Sequence, residues 1–284
     1  MSDDRTQNDI EKVSPNPGFL SKYTEQDSSL DALKKHRTVP RFKILQPTTD
    51  ATLLEQFGVG SCIVRPGDTL VSTFKGDLTR FSFVPLYFLI EWAKWRDLKG
   101  SGPMVLERSS HPGSDLARRS ASVELRKELY PGMEHVEDEK AKSYFSYVEH
   151  LRFIGVIYGD HPLAGTPVTL SFERGEWKQG KNFISAISMR REVVDDVSVE
   201  VPLWAQVWDF NTVYHNPEQS KKWYGFQFSP ATPNIITEEE AASFQALHIE
   251  YKELAAKQLL VVQEVDDKSD APKDPGAVSQ SSEF

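Results

Sequence analysis

From Val39 to Ser229 the chain breaks repeatedly into short segments in which apolar and polar residues alternate. That two-residue period suits half-buried strands and not helices. In Val39–Gln46, Phe42 and Ile44 point one way and Arg41 and Lys43 the other. Asp68–Phe74 and Thr79–Leu86 read as a strand pair joined at Lys75-Gly76-Asp77. Ser143–Tyr158, Pro167–Glu173, Asn182–Arg191, Pro202–Val213 and Trp223–Ser229 follow as further strands, with Gly175–Gly180 as a hairpin loop between two of them. Tyr87–Trp95 is almost continuously apolar and fits either an extended strand or a short buried helix. One amphipathic helix comes late. Thr237 is a good N-cap, Glu240 completes a capping box, and Ala241, Phe244, Leu247, Tyr251 and Leu254 form one apolar stripe. The expected fold is mainly β with α: an OB-fold-like barrel with a helical insertion and a C-terminal packing helix. A two-sheet sandwich is the rival architecture.

The ends of the chain set the limits of this body. Residues 1–38 are polar and read as a disordered arm with a helical turn at Ser29–Lys35. Residues 39–260 form the OB-like domain, with an insertion at 97–142 read as a long, partly mobile loop carrying a helical pattern at Ser114–Leu129. Residues 261–284 form an acidic tail that ends on Phe284 and is too poor in apolar residues to order itself. The net charge of −9 divides as −1 in residues 1–38, −4 in the tail and −4 in the body. A body this close to balance can carry a basic face only by clustering its cations. The single cysteine, Cys62, makes no internal disulfide. With no secretory signal and no membrane-length apolar run, the expected setting is cytoplasmic.

No catalytic pattern emerges. The seven histidines are scattered, and no phosphate loop or nucleophile elbow exists. The acidic pair Asp195-Asp196 falls at a turn, where it is solvated. The chain is therefore expected to be no enzyme and to need no metal or cofactor.

Binding single-stranded nucleic acid needs cations along the phosphates and rings on which bases stack. Trp177 sits beside Arg174, Lys178 and Lys181 in the Gly-bounded segment. Arg190 and Arg191 end the next segment, and Lys221 and Lys222 precede Trp223 and Tyr224. Arg41 and Lys43 decorate the first strand, and Lys75 and Arg80 flank a turn. These are the candidate nucleic-acid contacts. In Pro202–Thr212 the face bearing Trp204, Trp208 and Phe210 is either core or binding surface.

The string Val39-Pro-Arg-Phe-Lys-Ile-Leu-Gln46 precedes Gly58 and Gly60, then Phe81–Leu86 with Trp92 and Trp95. Gly165–Phe172, Pro202-Leu203 and Trp223-Tyr-Gly-Phe226 follow. This order resembles a group of bacteriophage OB-fold single-stranded-DNA-binding proteins over about residues 39–255. The acidic tail resembles the tails of such proteins, in which it recruits replication proteins. The resemblance implies sequence-independent single-stranded DNA binding in replication, recombination or repair, with Glu283 and Phe284 engaging replication or recombination proteins. Two alternatives stand beside it: a structural or scaffold module of a virion or assembly, and an enzyme with a site built from separated carboxylates.

Overall fold

The computed structural model describes residues 38–98, 102–139, 141–216, 222–257 and 260–262. Its spine is one long antiparallel ribbon. Strand β5 (Arg80–Leu98) pairs with β8 (Tyr144–Tyr158) from Ser82 opposite Tyr158 to Asp97 opposite Tyr144. The apolar run Tyr87–Trp95 is therefore extended. A bulge between Pro85 and Tyr87 flips its parity, at a residue that has no N–H to give to the ladder. Phe81 and Phe83 face one core before the bulge, and Phe88 and Ile90 face the same core after it.

The sheet grows from both edges of this ribbon. Strand β12 (Gln206–His215) lies beside β5, and β13 (Trp223–Ile235) lies beside β12. On the other side come β9 (Pro167–Phe172), β2 (Arg41–Ile44), β3 (Cys62–Arg65) and β4 (Thr69–Ser72), in that order, with the short helix α1 (Ala51–Phe57) between β2 and β3 in the chain. The sheet curls until its two sides meet. Phe42 on β2 and Phe226 on β13 have ring centroids 6.3 Å apart. The result is a mainly β, barrel-like fold.

Phenylalanines fill the concave side. Helix α3 (Trp177–Ser188) inserts Phe183 among Phe153, Trp208, Phe210 and Phe228, with centroids 4.8–5.3 Å apart. Emptying that position would cost about 3–5 kcal/mol. Gly180 permits the approach, because a Cβ there would lie 2.7 Å from the Phe172 Cβ. Sequence periodicity places strands and a hairpin loop in this region, whereas residues 174–188 are a 3-10 turn followed by α3. Gly180, Phe183 and Ile187 are buried at helical spacing, and that face wins over local β propensity.

The convex side is covered by α4 (Glu238–Ala256), whose expected stripe packs on Val84, Leu86, Ile154 and Val156. The Thr237 N–H donates to Glu240 Oε2 at 3.0 Å, closing the capping box, and the Tyr158 hydroxyl donates to the same oxygen at 2.8 Å. Trp208 and Phe210 point inward, so the aromatic face of this segment is core.

Three further differences from the sequence reading have simple causes. Strand β4 pairs with β3 and not with β5, so the turn at Lys75–Asp77 joins strands that diverge. The stretch 97–142 is part of the sheet: β6 (Gly102–Ser109) pairs with β5, β7 (Lys127–Leu129) pairs with β8, and helix α2 (Asp115–Ala121) packs Leu116 and Ala117 against Trp92 and Tyr147. Finally, β1 (Thr38–Val39) pairs in parallel with β14 (Val261–Val262), so two residues assigned to the tail extend the folded body. A separate hairpin, β10 (Arg191–Val194) and β11 (Val197–Glu200), turns at Asp195 and Asp196, both with positive φ.

Candidate nucleic-acid interface

Two side chains serve the outer edge of β13, which has no strand partner among the described residues. The Gln46 carboxamide donates to the Tyr224 carbonyl at 2.8 Å and accepts from the Tyr224 N–H at 2.9 Å. Glu176 Oε1 accepts from the Phe226 N–H at 2.8 Å. Between them Gly225 leaves room for the carboxylate, since a Cβ there would lie 1.9 Å from Glu176 Oε1. Side chains thus bridge the open edge of the curled sheet along this seam.

Rings and cations gather along the seam. Tyr224 packs against Phe74 (4.9 Å) and Tyr214 (5.1 Å), and the Lys75 ammonium sits 5.9 Å from the Phe74 centroid. His215 stacks on Trp223 at 5.1 Å, beside the exposed Lys222. Trp223 lies against Gly175, and the neighbouring Arg174 guanidinium rests 5.2 Å from the Trp95 ring. At the start of α3, Trp177 is 41% exposed. Its N–H donates to Glu149 at 3.1 Å, and Lys181 lies 4.9 Å from its ring centroid and 3.4 Å from the same carboxylate.

A buried ionic network holds this band from beneath. Glu91 bridges Arg108 at 2.8 Å and Arg152 at 2.7 Å. His150 Nδ1 lies 2.6 Å from Glu173 Oε2, and the Trp95 N–H donates to His150 Nε2 at 3.3 Å. Burial pushes the Glu173 carboxyl up, but His150, Arg152 and Arg174 outweigh it and hold the group well below the usual carboxylate range. Glu176 behaves oppositely. Burial, helped by the nearby Glu173 charge, pushes it up to about 8 against the Phe226 hydrogen bond. Near neutral pH Glu176 is mostly protonated, and the Glu173 anion is offset by neighbouring cations. Neither acid presents a free negative charge to a polyanion at the seam.

The sequence candidates divide accordingly. Lys75, Arg174, Trp177, Lys178, Lys181, Lys222, Trp223 and Tyr224 lie on the turn, helix and strand ends that meet here, with Arg80 at the margin, 3.8 Å from Asp209. Arg41 and Lys43 lie on β2, on the face opposite Phe42. Arg190 pairs with Glu192 at 2.9 Å at the root of the β10–β11 hairpin, with Arg191 beside it. These last four lie on two other elements, β2 and the root of the β10–β11 hairpin. Lys221, Glu283 and Phe284 lie outside the described residues. Phe74, Tyr214 and His215 are not candidate contacts in the sequence reading, and Trp95 enters it among the residues of the family resemblance, not as a candidate contact. Trp95 ends an apolar run that reads as core, and only the Lys94–Arg96 flanks mark it as surface.

Among the described residues no cluster of His, Cys, Asp and Glu has metal-binding geometry, and no helix is long and apolar enough to cross a membrane. The fold and the seam define a barrel-like β protein with a cation–aromatic band on a side-chain-bridged edge. A family model described as Pam3 phage gp34-like protein matches residues 10–259, and the chain belongs to that phage family. No curated protein and no solved structure matches it.

Proposed function

We propose that this protein binds single-stranded DNA without sequence preference during phage DNA replication, recombination or repair, in the host cytoplasm and without chemistry of its own. The barrel is read as OB-type, with the seam as the path of the strand. The observation that supports this reading is the interleaving of Phe74, Tyr224, Trp223 and Trp95 with Lys75, Lys222 and Arg174 along one edge. Cations track the phosphates and rings receive bases, each stacked base contributing about 1–3 kcal/mol. The acidic segment 263–284 competes for the same cations, and its tip, Glu283 and Phe284, recruits replication or recombination proteins. Titrating the protein with oligo-dT at two salt concentrations, followed by tryptophan fluorescence, tests this. Quenching that weakens at the higher salt is the expected result. Absence of any oligonucleotide response at low salt overturns it.

A second reading rests on the β10–β11 hairpin, which exposes Val193, Val194, Val197 and Val199. Such a patch suits protein contact in a virion or other assembly. It predicts a stable protein complex and no salt-dependent affinity for oligonucleotides.

A further inference from the structure

The β10–β11 hairpin pairs with no other strand among the described residues, so both of its edges are open. The usual guards of an open edge are missing: Arg191–Glu200 holds no lysine and no proline, and its ladder has no bulge. Val193 and Val194 on β10 are 71% and 52% exposed. We propose that β10 is a self-recognition edge: it pairs antiparallel with β10 of a second copy of this chain, about a two-fold axis at Val193. The proposal is independent of the single-stranded DNA reading and gives the hairpin one defined partner.

The hairpin's own ladder fixes which backbone groups face outward. The Val201 N–H donates to the Arg190 carbonyl at 3.1 Å. Hydrogen-bonded and non-hydrogen-bonded pairs alternate along an antiparallel ladder. Glu192 with Val199, and Val194 with Val197, are therefore the pairs that exchange hydrogen bonds. The N–H and C=O groups of Arg191 and Val193 on β10, and of Ser198 and Glu200 on β11, are left pointing outward. Charge then chooses between the two edges. Pairing β10 with its own copy about Val193 sets Arg191 of each chain opposite Asp195 of the other. Both residues are exposed, and neither is held in an ion pair among the described residues. Within its own hairpin Arg191 stands opposite Glu200, so in the pair this cation is flanked by two carboxylates. The same operation on β11, about Ser198, sets Asp196 opposite Glu200 of the second copy, and like charges directly opposed repel. The β10 contact is isologous and closes at two chains. It joins the hairpins into one four-stranded sheet, with Val193 packed on its counterpart at the axis and main-chain hydrogen bonds supplying affinity. The acids along β11 keep that sheet from growing further.

Sedimentation velocity on the full-length protein over a micromolar concentration series tests this. The parent should pass from one chain to two as concentration rises. Val193→Pro removes an N–H that points outward, so the hairpin keeps its own bonds. That variant should melt at the parent temperature and lose the dimer. Ser198→Pro does the same to the β11 edge and should leave the dimer intact. Arg191→Glu sets acid against acid across the axis and should weaken the dimer about tenfold or more. Adding Asp195→Asn, which tolerates the positive φ of that position, should recover part of the loss. A parent that stays a single chain throughout the series overturns the proposal and leaves the hairpin to a different protein. A dimer that survives both Val193→Pro and Arg191→Glu also overturns it. A dimer lost in Ser198→Pro but kept in Val193→Pro moves the contact to β11, and overturns the β10 edge equally.

Discussion

The side chain of Gln46 pairs with both backbone groups of Tyr224, 178 positions away, and so does the work of a strand that the sheet lacks. It follows β2 directly and fixes the end of β13 where the Tyr224 ring meets Phe74 and Tyr214. Gln46→Leu should destabilise the fold by about 1–3 kcal/mol, the cost of stranding part-buried backbone groups. Gln46→Glu should be worse near neutral pH, because a carboxylate faces the Tyr224 carbonyl with no proton to offer. Urea unfolding of the three proteins checks the order. Equal midpoints would show that the seam does not depend on this pair.

Glu173 and Glu176 should give stability two opposite dependences on pH. Glu176 titrates at about 8 in the folded protein and at roughly 4.3 when unfolded. The folded state keeps a proton that the unfolded chain releases between these values. The Glu176 contribution is therefore complete below about pH 4.3, and falls as pH rises to about 8. Glu173, held low, contributes fully above about pH 4.3, and loses its contribution as pH falls below that. Glu176→Gln keeps an oxygen for the Phe226 N–H and removes the first dependence. At pH 9 that variant should be more stable than the parent by a few kcal/mol. Thermal melts from pH 5 to 9 read this directly, and parallel curves for the two proteins would refute it.

Much of the β framework was legible because alternation is a local signal. The segments around β2, β8, β9, β12 and β13, and the capped helix α4, follow from their own residues. Partner choice was not legible, because it depends on how far the sheet curls. Nothing near Lys75 says that β4 will leave its neighbour and pair with β3. Helix α3 was missed for a related reason. Phe183 and Ile187 fit a strand face as well as a helix face, and only the concave core selects the helix. The band was half legible. Arg174, Trp177, Lys222 and Trp223 show themselves as cations beside rings, whereas Phe74 and Tyr214 become surface only when the two sides of the sheet meet.

Trp177 should contribute to DNA affinity far more than to stability. The ring is 41% exposed and is tethered by Glu149, with Lys181 beside it. Trp177→Ala removes a stacking platform and should weaken oligo-dT binding about 5- to 150-fold. Glu149→Gln should act in the opposite direction, since it releases Lys181 from its 3.4 Å pairing and removes an anion from the path. Anisotropy with labelled oligo-dT measures both. Tighter binding by Trp177→Ala, or weaker binding by Glu149→Gln, would place the strand elsewhere.

Truncation of the acidic segment should be made after Val262, since Val261 and Val262 pair with Thr38 and Val39. The residues removed, 263–284, hold six acids and two lysines. If that segment competes with DNA for the seam cations, its loss tightens oligo-dT binding at low salt. The gain should shrink as salt rises, because the competing contacts are screened like any exposed pair. Removing Phe284 alone leaves the charge unchanged and should leave affinity unchanged, which separates competition by charge from docking by the terminal ring. A truncated protein that binds no more tightly than the full chain at low salt would mean that the acidic segment does not reach the seam.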